Sequence, residues 1–218
     1  MQSLMEKLKG FFGIPGWFDD WSGVTVHTEE VPVDILVVDV SGSMAEPDYP
    51  PCRLAGAQHA AIRFCERRAQ SGPDGMVGII KYASKARVVA SPVPVRCFEQ
   101  LKASIATLSP MDATNIGAGL KTARQEFQRF ARPRNPRIVL LTDGYSNVGP
   151  DPETAAARVK EDKIQLDIIG IGGSPADVNE PQLRRMASVV NGQRRYWFIK
   201  SADELVQKFE ALALREFK

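Results

Sequence analysis

The sequence predicts an α/β domain with a doubly wound sheet, and three observations carry that reading. Two continuous apolar runs, Ile35 to Val38 and Ile138 to Leu141, have the pattern of strands buried on both faces of a parallel sheet. Strand-like segments then alternate along the chain with segments of helical period. Both apolar runs also stop at aspartate-containing turns, DVSGS from Asp39 and DGYSN from Asp143. In open α/β sheets such a turn, at the C-terminal end of a strand, lies on the edge where ligands bind.

The elements follow in chain order. Residues 1–30 form a lead-in arm: Leu4, Met5, Leu8 and Phe11-Phe12 pattern a short amphipathic helix, and the Val24/Val26 alternation suggests a short strand. Trp17, Phe18 and Trp21 are expected to cover apolar surface on the main domain, residues 31–218. After the strand at 33–39 comes a proline-rich loop, EPDYPP. A helix follows from Arg53 to Ala69, with Leu54, Ala57, Ala61 and Phe64/Cys65 on its buried face and His59 on the other. Val77 to Tyr82 is a strand. Lys85 to Val95 is β-branched but contains two prolines, which assigns it to a sheet edge. A helix spans Phe98 to Leu108, and the polar loop from Ser109 runs into another helix that continues through Phe130 before Pro133 and Pro136. Arg137 to Thr142 is a strand, 154–162 a helix, Gln165 to Ile171 a strand, Pro181 to Val190 a helix, Arg195 to Ile199 a strand and Asp203 to Leu214 the closing helix.

Composition removes several functional classes. Charged residues make up 25% and hydrophobic ones 44% of 218 residues, enough for a packed core. The net charge of +2 and the dispersed Lys and Arg give no argument for nucleic acid. Cys52, Cys65 and Cys97 cannot all pair within one chain and match no zinc spacing, and His27 and His59 are the only histidines. With no secretory or membrane-spanning run, the expectation is a reduced, cytoplasmic protein. The turn Gly170 to Pro175 lacks the Lys-Ser/Thr pair of a phosphate loop and reads as a strand exit.

Asp39, Ser41 and Ser43 stand at i, i+2 and i+4, so in extended chain their side chains point the same way. One carboxylate and two hydroxyls converging at a strand end suit a hard cation such as Mg²⁺. The same residues also suit a polar loop held by turn hydrogen bonds. The sequence goes further when three segments are taken together. DVSGSM, DATNIGAGL and LLTDGYSN resemble, in that order, the metal-ion-dependent adhesion site of a von Willebrand factor A (vWA) domain, and the resemblance covers roughly residues 31–215.

That resemblance implies a three-layer, Rossmann-like, mostly parallel sheet with 33–39 central and one antiparallel edge strand near 86–90. It implies Asp39, Ser41, Ser43, Thr114 and Asp143 as metal ligands. It implies Mg²⁺, with Mn²⁺ or Ca²⁺ as alternatives, and a partner protein whose Glu or Asp carboxylate completes the coordination. It is closest in kind to a stand-alone, intracellular bacterial member, of the sort that works beside AAA+ ATPases or in stress operons. Relatives that move their last helix on engagement make 203–214 a candidate switch. One departure stands out: the family has glycines before the threonine, and this chain has Asp112-Ala113. Asp112 either lies near the ligands or caps the next helix, and the cap is the preferred reading.

Three functions follow as expectations. The leading one is a non-enzymatic, metal-dependent protein-binding module. A metal-dependent hydrolase or phosphatase is the alternative, although no His accompanies the motifs and Ser41 stands where a haloacid-dehalogenase-type phosphatase needs its second acid. A structural adaptor with a vestigial metal site is the third.

Overall fold

The computed structural model describes residues 31–72, 75–129 and 133–214. The expected arm, residues 1–30, lies outside the described residues, as do Phe130 and the last four residues. Along the described chain the elements are β1 (Pro32–Asp39), α1 (Arg53–Ser71), β2 (Met76–Tyr82), β3 (Ala86–Pro94), α2 (Phe98–Ala106), α3 (Ile116–Gln128) and β4 (Arg134–Thr142). They continue with α4 (Pro152–Glu161), β5 (Gln165–Ile171), α5 (Glu180–Met186), β6 (Val189–Val190), β7 (Gln193–Arg194), β8 (Tyr196–Ile199) and α6 (Ala202–Ala213).

Six strands form the main sheet in the order β3-β2-β1-β4-β5-β8. Every pair is parallel except β2–β3, so β3 is the antiparallel edge. Pro92 and Pro94 are tolerated there because the outer side of an edge strand needs no ladder donors. Gly78 on β2 leaves room for the Pro92 ring, which a Cβ would meet at 3.0 Å.

The apolar run of β1 serves two cores at once. Leu36 and Val38 pack with α1, α2 and α6 on one face of the sheet. Val33, Ile35 and Val37 pack with α3, α4 and α5 on the other. Side chains alternate across a strand, so a strand with helices on both sides must be apolar at every position. The chain therefore moves outward from β1 in two directions, toward β2 and toward β4, and the crevice between β1 and β4 is the switch point of the sheet.

The opposite end of the sheet is closed by buried ions. Asp34 accepts hydrogen bonds from Arg137 Nε (2.7 Å) and Arg68 Nε (3.2 Å), and Arg137 Nη1 donates to the Leu212 carbonyl at 3.0 Å. This ties the starts of β1 and β4 to the end of α6.

Three expectations are corrected. The helix read from Pro181 to Val190 ends at Met186, and a small hairpin, β6–β7, follows. Its turn is Asn191-Gly192, both at positive φ (51° and 75°), the two-residue turn whose twist suits paired strands. β4 begins at Arg134 and runs through Pro136, where its pairing with β1 is irregular. Asp112 is exposed and does not cap α3. The cap is Asn115, whose side chain accepts from the Ala118 N–H at 2.9 Å.

Candidate metal centre

β1 and β4 end side by side at the switch point, and their turns deliver most of the predicted residues. Asp39 closes β1 and is fully buried. Its Oδ1 accepts the Ser41 N–H at 2.8 Å, the local bond that folds the chain back after the strand. Its Oδ2 lies 2.9 Å from Thr142 Oγ1 and 3.0 Å from the Tyr82 hydroxyl, both donors. Asp39 pairs with Tyr82 in the parallel β1–β2 register, and Val38 pairs with Leu141, so Tyr82 and Thr142 flank Asp39 on neighbouring strands.

In front of Asp39 the hydroxyls and the second carboxylate meet. Ser41 Oγ and Ser43 Oγ are 3.2 Å apart, and Asp143 Oδ1 accepts from Ser43 at 2.8 Å and from Ser41 at 3.5 Å. The third loop turns at Gly144, where a Cβ would lie 4.0 Å from both Ser43 Oγ and Thr114 Oγ1. Thr114 Oγ1 and Ser43 Oγ therefore both face the space beside Gly144. Its loop is sewn to the Asp143 loop by paired bonds, Thr114 N–H to Asn147 Oδ1 and Asn147 N–H to the Thr114 carbonyl, each 2.9 Å. Ala113 before it sits at φ 59°, a left-handed conformation that glycine takes more readily.

Ser41, Ser43 and Asp143 thus meet through their side-chain oxygens, Asp39 is bonded to Ser41, and Thr114 faces Gly144 from the neighbouring loop. Burial, with Asp143's nearby charge, pushes the Asp39 carboxyl up from 3.8 to about 7, against the hydrogen bonds from Ser41 and Thr142. Burial also raises Asp143 from the usual carboxylate range, opposed by Ser43 and Arg53. Two buried carboxylates that resist ionising together describe a place that would welcome positive charge.

The donor set fits a hard divalent cation. It contains only oxygen, and two of its five side chains carry charge. Adjacent ligands on a Mg²⁺ octahedron with bonds near 2.1 Å are about 3 Å apart, and the Ser41, Ser43 and Asp143 oxygens are separated by 2.8 to 3.5 Å. Among the described residues no group of three or more His, Cys, Asp or Glu could hold a metal ion. Any ion here would rest on hydroxyls and on two carboxylates.

The sequence reading missed Arg53, Tyr82, Thr142, Asn115 and Asn147. Arg53 alone left a trace: a cation in the first turn of a helix opposes the helix dipole and needs another reason to be there. Its guanidinium donates to Asp143 Oδ2 at 3.0 Å and grips Asp48 by two bonds of 2.8 and 2.6 Å. Cavities of about 250 and 320 Å³ lie elsewhere, between α3 and α4 and beside the β6–β7 hairpin, and neither is lined by a residue of the five-residue set.

A parallel α/β sheet with an oxygen-lined switch point and one reversed edge strand defines a class of α/β binding domain. The chain belongs to the von Willebrand factor type A domain family, whose sequence model matches residues 35–146 and so includes all five predicted residues. A UPF0353 protein of Mycolicibacterium paratuberculosis is 32% identical over 185 residues, covering 74% of this chain and 54% of that protein. The chain therefore spans about half the length of such curated relatives. Among solved structures, a von Willebrand factor type A protein from Catenulispora acidiphila superposes with a TM-score of 0.72 at 22% identity, over 85% of this chain and 42% of that one. BatB from Bacteroides thetaiotaomicron gives 0.67 at 20% identity, over 83% and 96%. These structural likenesses share the fold, and the family is one of protein-interaction modules.

Proposed function

We propose that this domain is a non-enzymatic protein-binding module that holds a divalent cation, Mg²⁺ by preference, and through it a Glu or Asp side chain of a partner. The observation that carries the reading is the cluster of Ser41, Ser43 and Asp143 oxygens at octahedral-edge separations, with Thr114 beside it and Asp39 bonded behind it. Asp39, Ser41, Ser43, Thr114 and Asp143 would hold the ion directly or through water, and the bound ion would supply a Lewis-acidic position for a carboxylate. Hydroxyls donate little charge, so an ion held here would keep its affinity for an anion.

The surroundings favour a macromolecular partner. Three exposed apolar side chains, Met111, Tyr145 and Val148, ride on the loops that carry Thr114 and Asp143. The Met111 N–H binds the Val40 carbonyl at 2.6 Å, and Met111 O faces Gly42, so this rim is fixed against the first loop. An acidic residue flanked by apolar ones is the partner chemistry this rim suits. Hydrolysis would need a positioned base, and His59 is exposed on α1, away from the cluster's hydrogen bonds. Three unpaired thiols suit a cytoplasmic setting, with an AAA+ ATPase or a stress-operon protein as the expected kind of partner. Among the described residues no helix is long and apolar enough to cross a membrane.

The test is capture of partners from lysate on the immobilised protein in Mg²⁺ buffer, followed by elution with EDTA and mass spectrometry. Release of a defined partner by EDTA, and its absence from an Asp143→Ala column, is expected. Capture that survives both EDTA and Asp143→Ala, with the protein still folded, would overturn the reading, as would metal-dependent turnover of phosphoester substrates.

A further inference from the structure

Arg53 has a peculiar position. It is 8% exposed, opens α1 and donates one bond directly to Asp143 Oδ2. Three carboxylates from three different loops surround it: Asp48 after β1, Asp143 after β4 and Asp177 after β5, the last at 3.7 Å. Asp48 and Asp177 have side chains about one-third exposed, where water screens their charge. Asp143 is closed off from solvent. The guanidinium is thus anchored by the two wet carboxylates and turned toward the buried one. Asp143 thus receives Arg53 on Oδ2 and Ser41 and Ser43 on Oδ1.

This changes the charge count at the cluster. Counting only the groups shut off from water, Asp39 and Asp143 supply two negative charges when ionised and Arg53 brings one positive charge to them, while its other partners, Asp48 and Asp177, hold theirs at the solvent edge. A divalent ion added to that set leaves an excess of one positive charge. Without Arg53 the same ion would be neutralised by its own ligands. In a weakly solvated site a unit of charge is felt strongly by everything bound there. We propose that Arg53 is the positioning residue that sets the polarity of this site, loosening the hold on the metal in exchange for a stronger hold on the partner's carboxylate. The inference rests on the metal-binding reading and adds to it a device for making the ion electrophilic. Arginine suits the task because it stays charged at any relevant pH and its planar fork is fixed by two parallel bonds to Asp48.

The experiment uses the full chain, Arg53→Met and Arg53→Lys, with Mn²⁺ alone as the metal probe and acetate as the carboxylate probe. Mn²⁺ affinity is read from the relaxation of water protons, and acetate binding from the loss of that signal as bound water is displaced. Arg53→Met is expected to bind Mn²⁺ roughly tenfold more tightly than wild type and to need roughly tenfold more acetate. Its melting temperature should be lower in EDTA and rise further on adding Mg²⁺ than that of wild type. Arg53→Lys keeps the charge and loses the fork, so its Mn²⁺ affinity should stay within about threefold of wild type. If Arg53→Met does not fold, the Lys variant decides: a loss of Mn²⁺ and acetate binding alike would make Arg53 a structural clamp and overturn the proposal. Unchanged or weaker Mn²⁺ binding by folded Arg53→Met would also overturn it, while leaving the metal site standing. A wild-type chain with no saturable Mn²⁺ binding would instead remove the metal reading itself, and this one with it.

Discussion

Replacing Asp39 by Asn isolates the electrostatic cost of the candidate site. The carboxamide keeps the shape of the carboxylate. Its oxygen can still accept the Ser41 N–H, and its NH₂ faces the hydroxyls of Tyr82 and Thr142, which can accept as well as donate. What disappears is a charge with no exposure to water. In the wild-type fold, burial first and Asp143's charge second raise this carboxyl from 3.8 to about 7. The folded state thus keeps a proton between about pH 4 and pH 7 that the unfolded chain has released. Stability therefore falls as pH rises through that window and levels off above it. At 1.36 kcal/mol per pH unit, going from pH 5 to pH 8 costs the metal-free wild type about 3 kcal/mol, or about 8 °C in melting temperature for a domain of this size. The carboxamide of Asp39→Asn does not titrate. Melts in EDTA at pH 5, 6, 7 and 8 should show Asp39→Asn gaining on wild type by that amount. Adding Mg²⁺ should raise the wild type and leave the variant unmoved. A gap that stays constant over the pH range in EDTA, or that widens against the variant as pH rises, would refute the argument.

Two further predictions separate site from scaffold. Gly144→Ala adds a methyl 4.0 Å from Ser43 Oγ and Thr114 Oγ1, with no backbone atom in its way; its melting temperature in EDTA should stay within about 2 °C of wild type, while titration calorimetry shows Mg²⁺ binding weakened or lost. Asp34→Ala strips Arg137 and Arg68 of a shared buried carboxylate at the far end of the sheet. It should cost about 3–5 kcal/mol, a fall of about 10 °C or more by calorimetry, without changing the shift that Mg²⁺ produces; a loss of that shift would mean the two ends of the sheet are coupled.

Much of this architecture is legible without coordinates because period and punctuation are local. A strand flanked by helices on both sides has to be apolar throughout, and Ile35 to Val38 and Ile138 to Leu141 say so directly. Proline within an apolar run sends β3 to an edge for a reason internal to its own backbone. The Asn191-Gly192 hairpin was equally legible, but helical period in the preceding residues outweighed the stronger turn signal. Pro136 marks the other kind of miss. It argues against a central strand, yet an irregularity in pairing with β1 absorbs it, and that irregularity depends on a partner strand far away in the chain.

The amino-acid sequence by itself determined the alternation of strands and helices and the two buried strands that end in aspartate turns, and its resemblance to a family supplied the central strand and the five oxygen-bearing side chains, Thr114 among them from a helix-to-helix loop. Tertiary structure alone decided what surrounds them. Tyr82 and Thr142 reach Asp39 because parallel register sets neighbouring strand ends abreast, and no spacing along one strand encodes the register of another. Arg53 meets Asp143 across 90 residues of chain because α1 and β4 converge at the switch point. Hydrogen bonds and charges act through space over a few ångströms, whereas sequence patterns act through the chain, so the candidate residues could be named while the groups bonded to them could not.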